Sequence, residues 1–581
     1  MFLLVTLGTA AFLIAFILIS RIFGRKVPLL PYRLALIILV SLICGWIFWL
    51  IRPAVGFRFP ALWIWTGIIL VTGALFCTRD ENDYGLFIPF GVFLLALLVF
   101  SVYSGKMTQA GRYRDLLAGH ITQTEAIDFT KDIAPIDLNN LRVVDQKLAR
   151  QRGATLIESI AGLGSQVELG TMNIQNLNGE FDIITGAGAS RRLKFDNELV
   201  WAGVLYPSGP FREKTTPGYV IVSALDAGRA FFVTAVGGEK LAVKYSTGHY
   251  FGNNLVRHLR SNGYLTRGIA DYTFELSDQG KPYYAVTLFQ KQIGWNAPEA
   301  VGVVTVDVQS GEIKEYTIDD APAFVDRIQP EAFIEKQLNY YGRFVHGWLN
   351  SWLKKKDVQS KTAGTSLVYS DGQAYFYSGM QSAGSDRGTS GFVLVNTRTK
   401  ETRLYRISGI TEDRAGEALE NAKGVKEAGY TSTPAILYNI GGRAVYFATL
   451  KGSDGLVKMY GFISISNEQI LGVGTSVREA LRAFETALIN AGDPLSLDSV
   501  VQETAVEAVV SAVARETLSG MTYYYLMLEG YAGMEFLGSS DTFKELKWTR
   551  PGDKVEIVYP QGSRETVTIR AFNNKAVDLI P

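Results

Sequence analysis

The chain has 581 residues, 48% of them hydrophobic, and 57 basic residues stand against 56 acidic ones for a formal net charge of +1. That balance removes any strong electrostatic case for nucleic acid, which would need a concentrated basic face, so no nucleic-acid partner is expected. Both cysteines, Cys44 and Cys77, fall in apolar runs, leaving the polar part of the chain without a disulfide or a Cys-based metal site.

Four uncharged apolar runs come first, at 2–20, 34–51, 61–77 and 86–103, each 17–19 residues long. A helix needs about 20 residues to cross a hydrocarbon core, so residues 1–104 read as a four-span anchor in the lipid bilayer. Charged, Pro-bearing breaks between the runs argue against the buried helices of a soluble core. No basic residue precedes Phe2 and no small-residue cleavage motif follows, so the first run reads as a retained anchor. Arg21, Arg25, Lys26 and Arg33 behind it favour a cytoplasmic first loop, with both termini and the body outside. Counted over all flanks the rule is tied, because Arg79 joins the inside set while Arg52, Arg58, Lys106, Arg112 and Arg114 fall outside. The expectation is an integral protein of the inner (cytoplasmic) membrane with an extracytoplasmic body.

Residues 105–190 read as a stalk leading into the body, with short helices near 107–120 and 144–150. From 191 to 495 aromatic and β-branched runs punctuated by Gly, Asn and Asp predict a repeated α+β, β-rich body. Gly-led strands recur at Gly218, Gly302, Gly391 and Gly461, spaced by 84, 89 and 70 residues. An apolar aromatic strand precedes each of them, and a tight polar turn with a return strand follows the second and third. Ser476 and Glu479 have capping-box spacing, and Thr411 before Glu412 and Asp413 supplies an N-cap with two acids at the positive end of a helix dipole. Residues 324–338 read as a helix that Pro330 breaks or restarts. Closely spaced short strands over 505–581 favour a small closed barrel of the SH3-like or OB-like kind.

Sequence motifs for chemistry are sparse. His120, His249, His258 and His346 include no pair at helical zinc spacing, and no P-loop or Gly-x-Ser-x-Gly elbow occurs, so no cofactor or metal is expected. Asp307 and Glu312 around Gly311 suit a hairpin turn better than a calcium loop. The loop carrying Asp386 and Arg387 could bind a polar ligand or be ordinary surface. Trp348 and Trp352, at helical spacing beside Lys354–Lys356, read either as core packing with a solvated lysine end or as an amphipathic segment facing a membrane or partner. In the run Tyr523, Tyr524 and Tyr525, alternation along a strand predicts a ring outside the core, with Tyr524 the candidate contact.

The strand at 283–289, followed by Val303-Val-Thr-Val-Asp307-Val-Gln-Ser-Gly-Glu-Ile313, resembles the PepSY type of module. More broadly, Ile136-Asp-Leu, Gly164-Ser-Gln, Arg257-His-Leu, Arg327-Ile-Gln-Pro330, Gly347-Trp-Leu-Asn350, Asn396-Thr-Arg-Thr399 and Tyr438-Asn-Ile440 are similar to a scattered group of bacterial and large-phage membrane proteins, some loosely labelled cell-shape determinants. These resemblances imply architecture more than chemistry. The expected function is a non-enzymatic, membrane-anchored scaffold of the cell envelope, a homo-oligomer whose body binds other proteins or wall components. The alternatives are a PepSY-like regulator of an envelope hydrolase, or an enzyme assembled from dispersed acids such as Asp307, Glu312 and Asp386.

Overall fold

The computed structural model describes residues 2–577 except 23–30, 78–86, 123–132, 134–135, 137–140, 161, 187, 213, 363, 371, 383–387, 407–408, 492–502, 519–520, 532–533, 541–542, 561–565 and 570. Three helices, α1 (Phe2–Ile22), α2 (Pro31–Ile51) and α3 (Pro60–Cys77), are long and apolar enough to cross a membrane. A further apolar helix, α4 (Ile88–Tyr103), is shorter at 16 residues, or about 24 Å. The expected start of its run at Leu86 lies outside the described residues.

Small residues set how these helices meet. A Cβ on Gly45 of α2 would overlap Thr6 Oγ1 of α1, so α1 and α2 run antiparallel at close range. Gly8 faces Trp65 and Gly73 faces Phe16, which makes α1 and α3 parallel. Trp65 Nε1 donates to Thr9 Oγ1 at 2.8 Å, satisfying the indole in apolar surroundings. Helix α4 runs back along α3, with Trp63 stacked on Phe93 and Phe100 and Gly67 against Phe93 and Phe90.

Two compact units divide the chain, and the first comprises 1–134, 142–437 and 445–484. After α4 come α5 (Ala110–Ala118) and α6 (Gln146–Glu158); Asp145 caps α6 by accepting the Leu148 N–H at 3.0 Å. Ile121–Thr122 already pairs with Thr402–Tyr405, and further strands begin at Val167, so part of the segment read as a stalk lies in sheets. Asn173–Thr185, Ser190–Pro207, Tyr219–Ser223 and Ala230–Val236 pair in a closed ring, the last strand returning to the first. Every residue of Tyr219–Ser223 is buried, as a five-residue β-branched and aromatic strand covered on both faces should be.

Three antiparallel meanders of four strands follow, the first a sheet by itself, the second part of a seven-stranded sheet and the third part of a five-stranded one. Gly268–Leu276, Pro282–Ile293, Asn296–Asp307 and Ile313–Tyr316 form the first, preceded by α7 (Leu255–Ser261). Ser366–Ser370, Gln373–Ser382, Gly388–Asn396 and Thr402–Tyr405 form the second, preceded by α8 (Glu331–Arg343) and α9 (Gly347–Trp352). Ile436–Ile440, Arg443–Lys451, Val457–Ser464 and Leu471–Gly474 form the third, between α10 (Glu412–Glu420) and α11 (Val477–Asn490). Gly302, Gly391 and Gly461 thus lie in the third strand of successive meanders, whereas Gly218 leads a strand of the ring. Helix α8 starts only after Pro330, whose ring bars α-conformation in the residue before it; 324–330 is a non-helical link. Thr411 Oγ1 accepts from Arg414 N–H at 3.2 Å, and Ser476 Oγ from Glu479 N–H at 3.2 Å, so both expected caps form.

The second unit comprises 135–141, 438–444 and 485–581. Its six strands lie in the order Thr566–Thr568, Glu535–Ser539, Met521–Leu528, Glu503–Leu518, Lys554–Pro560 and Ala571–Asn574. Among the described residues this is a half-barrel and not the closed barrel expected, because the two end strands pair only inward. Val506, Val510, Leu526, Phe536, Leu546, Val555 and Ile557 fill its core.

Candidate functional site

Two places in the first unit concentrate unusual side chains. One is the junction of helices and body. Val55 N–H donates to Leu265 O at 3.0 Å, Arg58 Nη1 to Lys291 O at 2.7 Å and Arg52 Nη1 to Asn254 Oδ1 at 2.8 Å. Trp295, at the tip of the hairpin between the second and third strands of the first meander, packs on Phe100 at 4.9 Å and on Trp63 at 5.9 Å. Phe59 meets Phe289 edge-on at 6.0 Å. The α2–α3 loop and the end of α4 therefore grip the same side of the body.

The other place is a hub of acids around Arg327, where the ring and the first two meanders meet. Glu275 is fully buried, and neither carboxylate oxygen has a hydrogen-bond partner. Burial first, and then the charge of Asp326, push its pKa well above the usual carboxylate range, with Arg327 opposing. Asp326 is pushed up to about 6 by burial, against the Asn176 N–H donated at 2.8 Å, Arg327 and the Tyr369 hydroxyl at 3.3 Å. Asp271 is raised by burial as well. It sits in a β-bulge at φ +47°, a backbone state that costs a non-glycine residue about 1 kcal/mol and re-aims its side chain. Burial thus favours the neutral form of all three carboxyls beside Arg327, with the charge of Asp326 adding to it at Glu275.

The link that carries Asp326 and Arg327 is fixed by the second meander. Arg398 donates to the carbonyls of Ala321, Pro322 and Val325 at 2.7–2.8 Å, and Thr397 Oγ1 to Asp326 O at 2.6 Å. None of this was legible in the sequence; an acid-Arg pair in a loop is common, and only the fold reveals that it is enclosed. A cavity of about 450 Å³ opens elsewhere, beside the edge strand Val167–Leu169, lined by Gln166, Pro207, Phe211, Arg212, Thr216 and Leu241. Phe211 at its rim is 93% exposed.

The residues singled out from the sequence are scattered. Asp386 and Arg387 lie outside the described residues. Trp348 is half-buried against Ala110, Tyr113 and Phe344 and stacks on Trp352 at 6.1 Å, while Trp352, Leu349 and Leu353 are all well exposed. Core packing therefore describes Trp348 and not Trp352. Tyr524 is half-buried against the core of the half-barrel. Asp307 Oδ1 accepts the N–H groups of Gln309 and Ser310 at 2.8 and 2.9 Å, and Glu312 pairs with Lys314 at 3.2 Å, so both acids serve the hairpin turn. His249 is buried with Nδ1 2.6 Å from Ser246 Oγ, and burial lowers its pKa to about 4. Among the described residues no group of three or more His, Cys, Asp and Glu is placed to hold a metal. No family model matches the chain, and no curated protein is similar to it.

Proposed function

We propose that this chain is a non-enzymatic, membrane-anchored envelope protein whose body binds proteins or wall components. Phe211 carries the reading. A phenyl ring left almost wholly in water beside a cavity, with Arg212 adjacent, has the make-up of an interface anchor, since aromatic and Arg side chains dominate binding energy once a partner covers them. The antiparallel course of α3 and α4, with the start of α3 and the end of α4 gripping the body, supports four spans with the α2–α3 loop and the body on one side of the bilayer. The first loop's arginines and lysine support the reading that this side lies outside the cytoplasm, at the inner membrane. Homo-oligomerisation belongs to the same proposal, as does an SH3-like or OB-like fold at the C-terminus, for which the six-stranded half-barrel is the support.

A photo-crosslinking amino acid at position 211 in living cells tests the reading. Adducts to specific envelope proteins or to wall material are expected, together with accessibility of a tag behind Pro581 from outside the cytoplasm. No adduct at 211, or a tag reached only from the cytosol, would refute it. A second reading, restraint of an envelope hydrolase, draws support from α7, which immediately precedes the first meander as a PepSY-like module requires. That reading expects the purified chain to slow a peptidoglycan hydrolase, and unslowed turnover across a panel counts against it.

A further inference from the structure

Arg52 ends α2 in the left-handed conformation, φ +57°, where glycine is the usual residue. This places its side chain against α7: Nη1 donates to Asn254 Oδ1, which also accepts the Arg257 N–H at 3.3 Å. The Arg257 guanidinium lies 3.8 Å from the centre of the Trp49 ring on α2. Arg260 Nε reaches the Arg52 carbonyl at 3.4 Å, and its Nη1 is taken up by the carbonyls of Tyr264 and Arg267. Three guanidinium groups thus gather at the end of a helix apolar enough to span a membrane, and no carboxylate among the described residues forms an ion pair with any of them. Nε of Arg52 and Nε of Arg257 are enclosed without an acceptor. Burial, and then the charge of Arg52, make the Arg257 cation harder to hold, the reverse of what a paired arginine experiences.

Directly beside Arg52 runs an apolar groove of about 350 Å³ between α2 and α3, lined by Phe48, Ile51, Pro53, Phe59, Ile64 and their neighbours. Uncompensated guanidinium groups and orphaned donors ask for an anion, and the adjoining groove asks for a hydrocarbon. We infer that this corner binds one anionic phospholipid of the surrounding bilayer, its phosphodiester between Arg52 and Arg257 and one acyl chain along the α2–α3 groove. The assignment rests on the membrane-anchored reading above. A zwitterionic lipid offers the same phosphate but brings a cation to a site already three charges in excess, so charge complementarity selects the anionic class.

Native mass spectrometry of the full chain in detergent, titrated with dioleoylphosphatidylglycerol or dioleoylphosphatidylcholine, tests it. The phosphatidylglycerol adduct is expected at about tenfold lower lipid concentration, a charge-assisted contact being worth roughly that factor. Arg52→Gln with Arg257→Gln removes the preference, and Arg52→Lys with Arg257→Lys keeps most of it. Should the double Gln variant not fold, Arg257→Gln alone, which leaves the end of α2 intact, is expected to lose most of the preference. Equal binding of the two lipids by the wild type, an undiminished preference in the Gln variants, or displacement of the lipid by inorganic phosphate would overturn the site. Flotation with phosphatidylcholine vesicles after alkaline extraction separates the two claims. Failure to float defeats the membrane anchor, whereas flotation without a lipid preference defeats only the lipid site.

Discussion

Glu275 is a carboxyl whose titration the fold shifts strongly, and replacing it with Gln isolates that shift. The carboxyl is fully buried, lacks hydrogen-bond partners and faces Asp326, so in the folded chain it keeps its proton far above the ordinary glutamate value of 4.5. In the unfolded chain it loses that proton near its ordinary value. Between those two pKa values the native state binds the extra proton, so stability falls as pH rises, by about 1.4 kcal/mol per pH unit for this one group. The contribution is fully present below pH 4.5 and is lost progressively above it. Glu275→Gln keeps the shape and cannot ionise, so it removes this slope. Hydrogen exchange on strand Gly268–Leu276, corrected for intrinsic rates, reads the difference. Protection in the wild type is expected to fall about tenfold per pH unit more steeply than in the variant across this window. Asp326, raised to about 6, adds a slope of the same sign in both proteins between pH 3.8 and 6 and cancels in the comparison. Parallel protection profiles would refute the claim that a buried proton is held at the hub.

Lys400 is 1% exposed at φ +68°, and its Nζ is 2.6 Å from Glu299 Oε1. Lys400→Ala leaves Glu299 with only the Gln337 amide at 2.9 Å and no cation, and is expected to cost about 3 kcal/mol, while Lys400→Gly relieves the backbone and costs about 1 kcal/mol less; equal losses in denaturant titration would refute the strain argument. At Gly472 an added Cβ would overlap the backbone of Ala480 and Phe484, so Gly472→Ala should push α11 off the third meander at a cost of about 2 kcal/mol, seen as faster proteolysis within α11. Trp295→Ala empties the aromatic contact with Phe100 and Trp63 and should cost about 3 kcal/mol, read as accelerated cleavage between α4 and α5, with no acceleration counting against a rigid junction.

Where the physics is local, the sequence was readable. Uncharged runs of span length became α1, α2 and α3, the Thr411 and Ser476 caps formed where their side chains allowed, and Asp307 closed the turn its spacing indicated. Pro330 was read correctly as a break, but the residues before it were given to a helix because apolar spacing alone cannot show that a link is pinned by carbonyl bonds to Arg398. The closed ring of four strands was missed because two of its pairings join residues far apart in sequence. The hub and the arginine corner were missed for a related reason: charge type is visible in a sequence, but the absence of a partner is a property of the folded surroundings. Helical spacing left Trp348 and Trp352 open between core packing and an outward-facing segment, and the short helix α9 separates them by turning Trp352 outward.

The turns that follow the third strands of the first two meanders share a backbone geometry but not a sequence. Asp307 and Asn396 occupy the same place, five residues after Gly302 and Gly391, and each accepts two N–H groups from the turn it opens. The left-handed position four residues on is Gly311 in one copy and Lys400 in the other. At Gly311 a Cβ would press on Tyr245 and His258, so only glycine fits. Around Lys400 the surroundings instead reward a side chain, because a long amine reaches Glu299 in the first meander and the Leu116 carbonyl at the end of α5. One backbone conformation is thus retained for opposite reasons, by steric exclusion in the first copy and by a buried ion pair in the second. The residue that looks least like a repeat is the one that ties the second copy to the first.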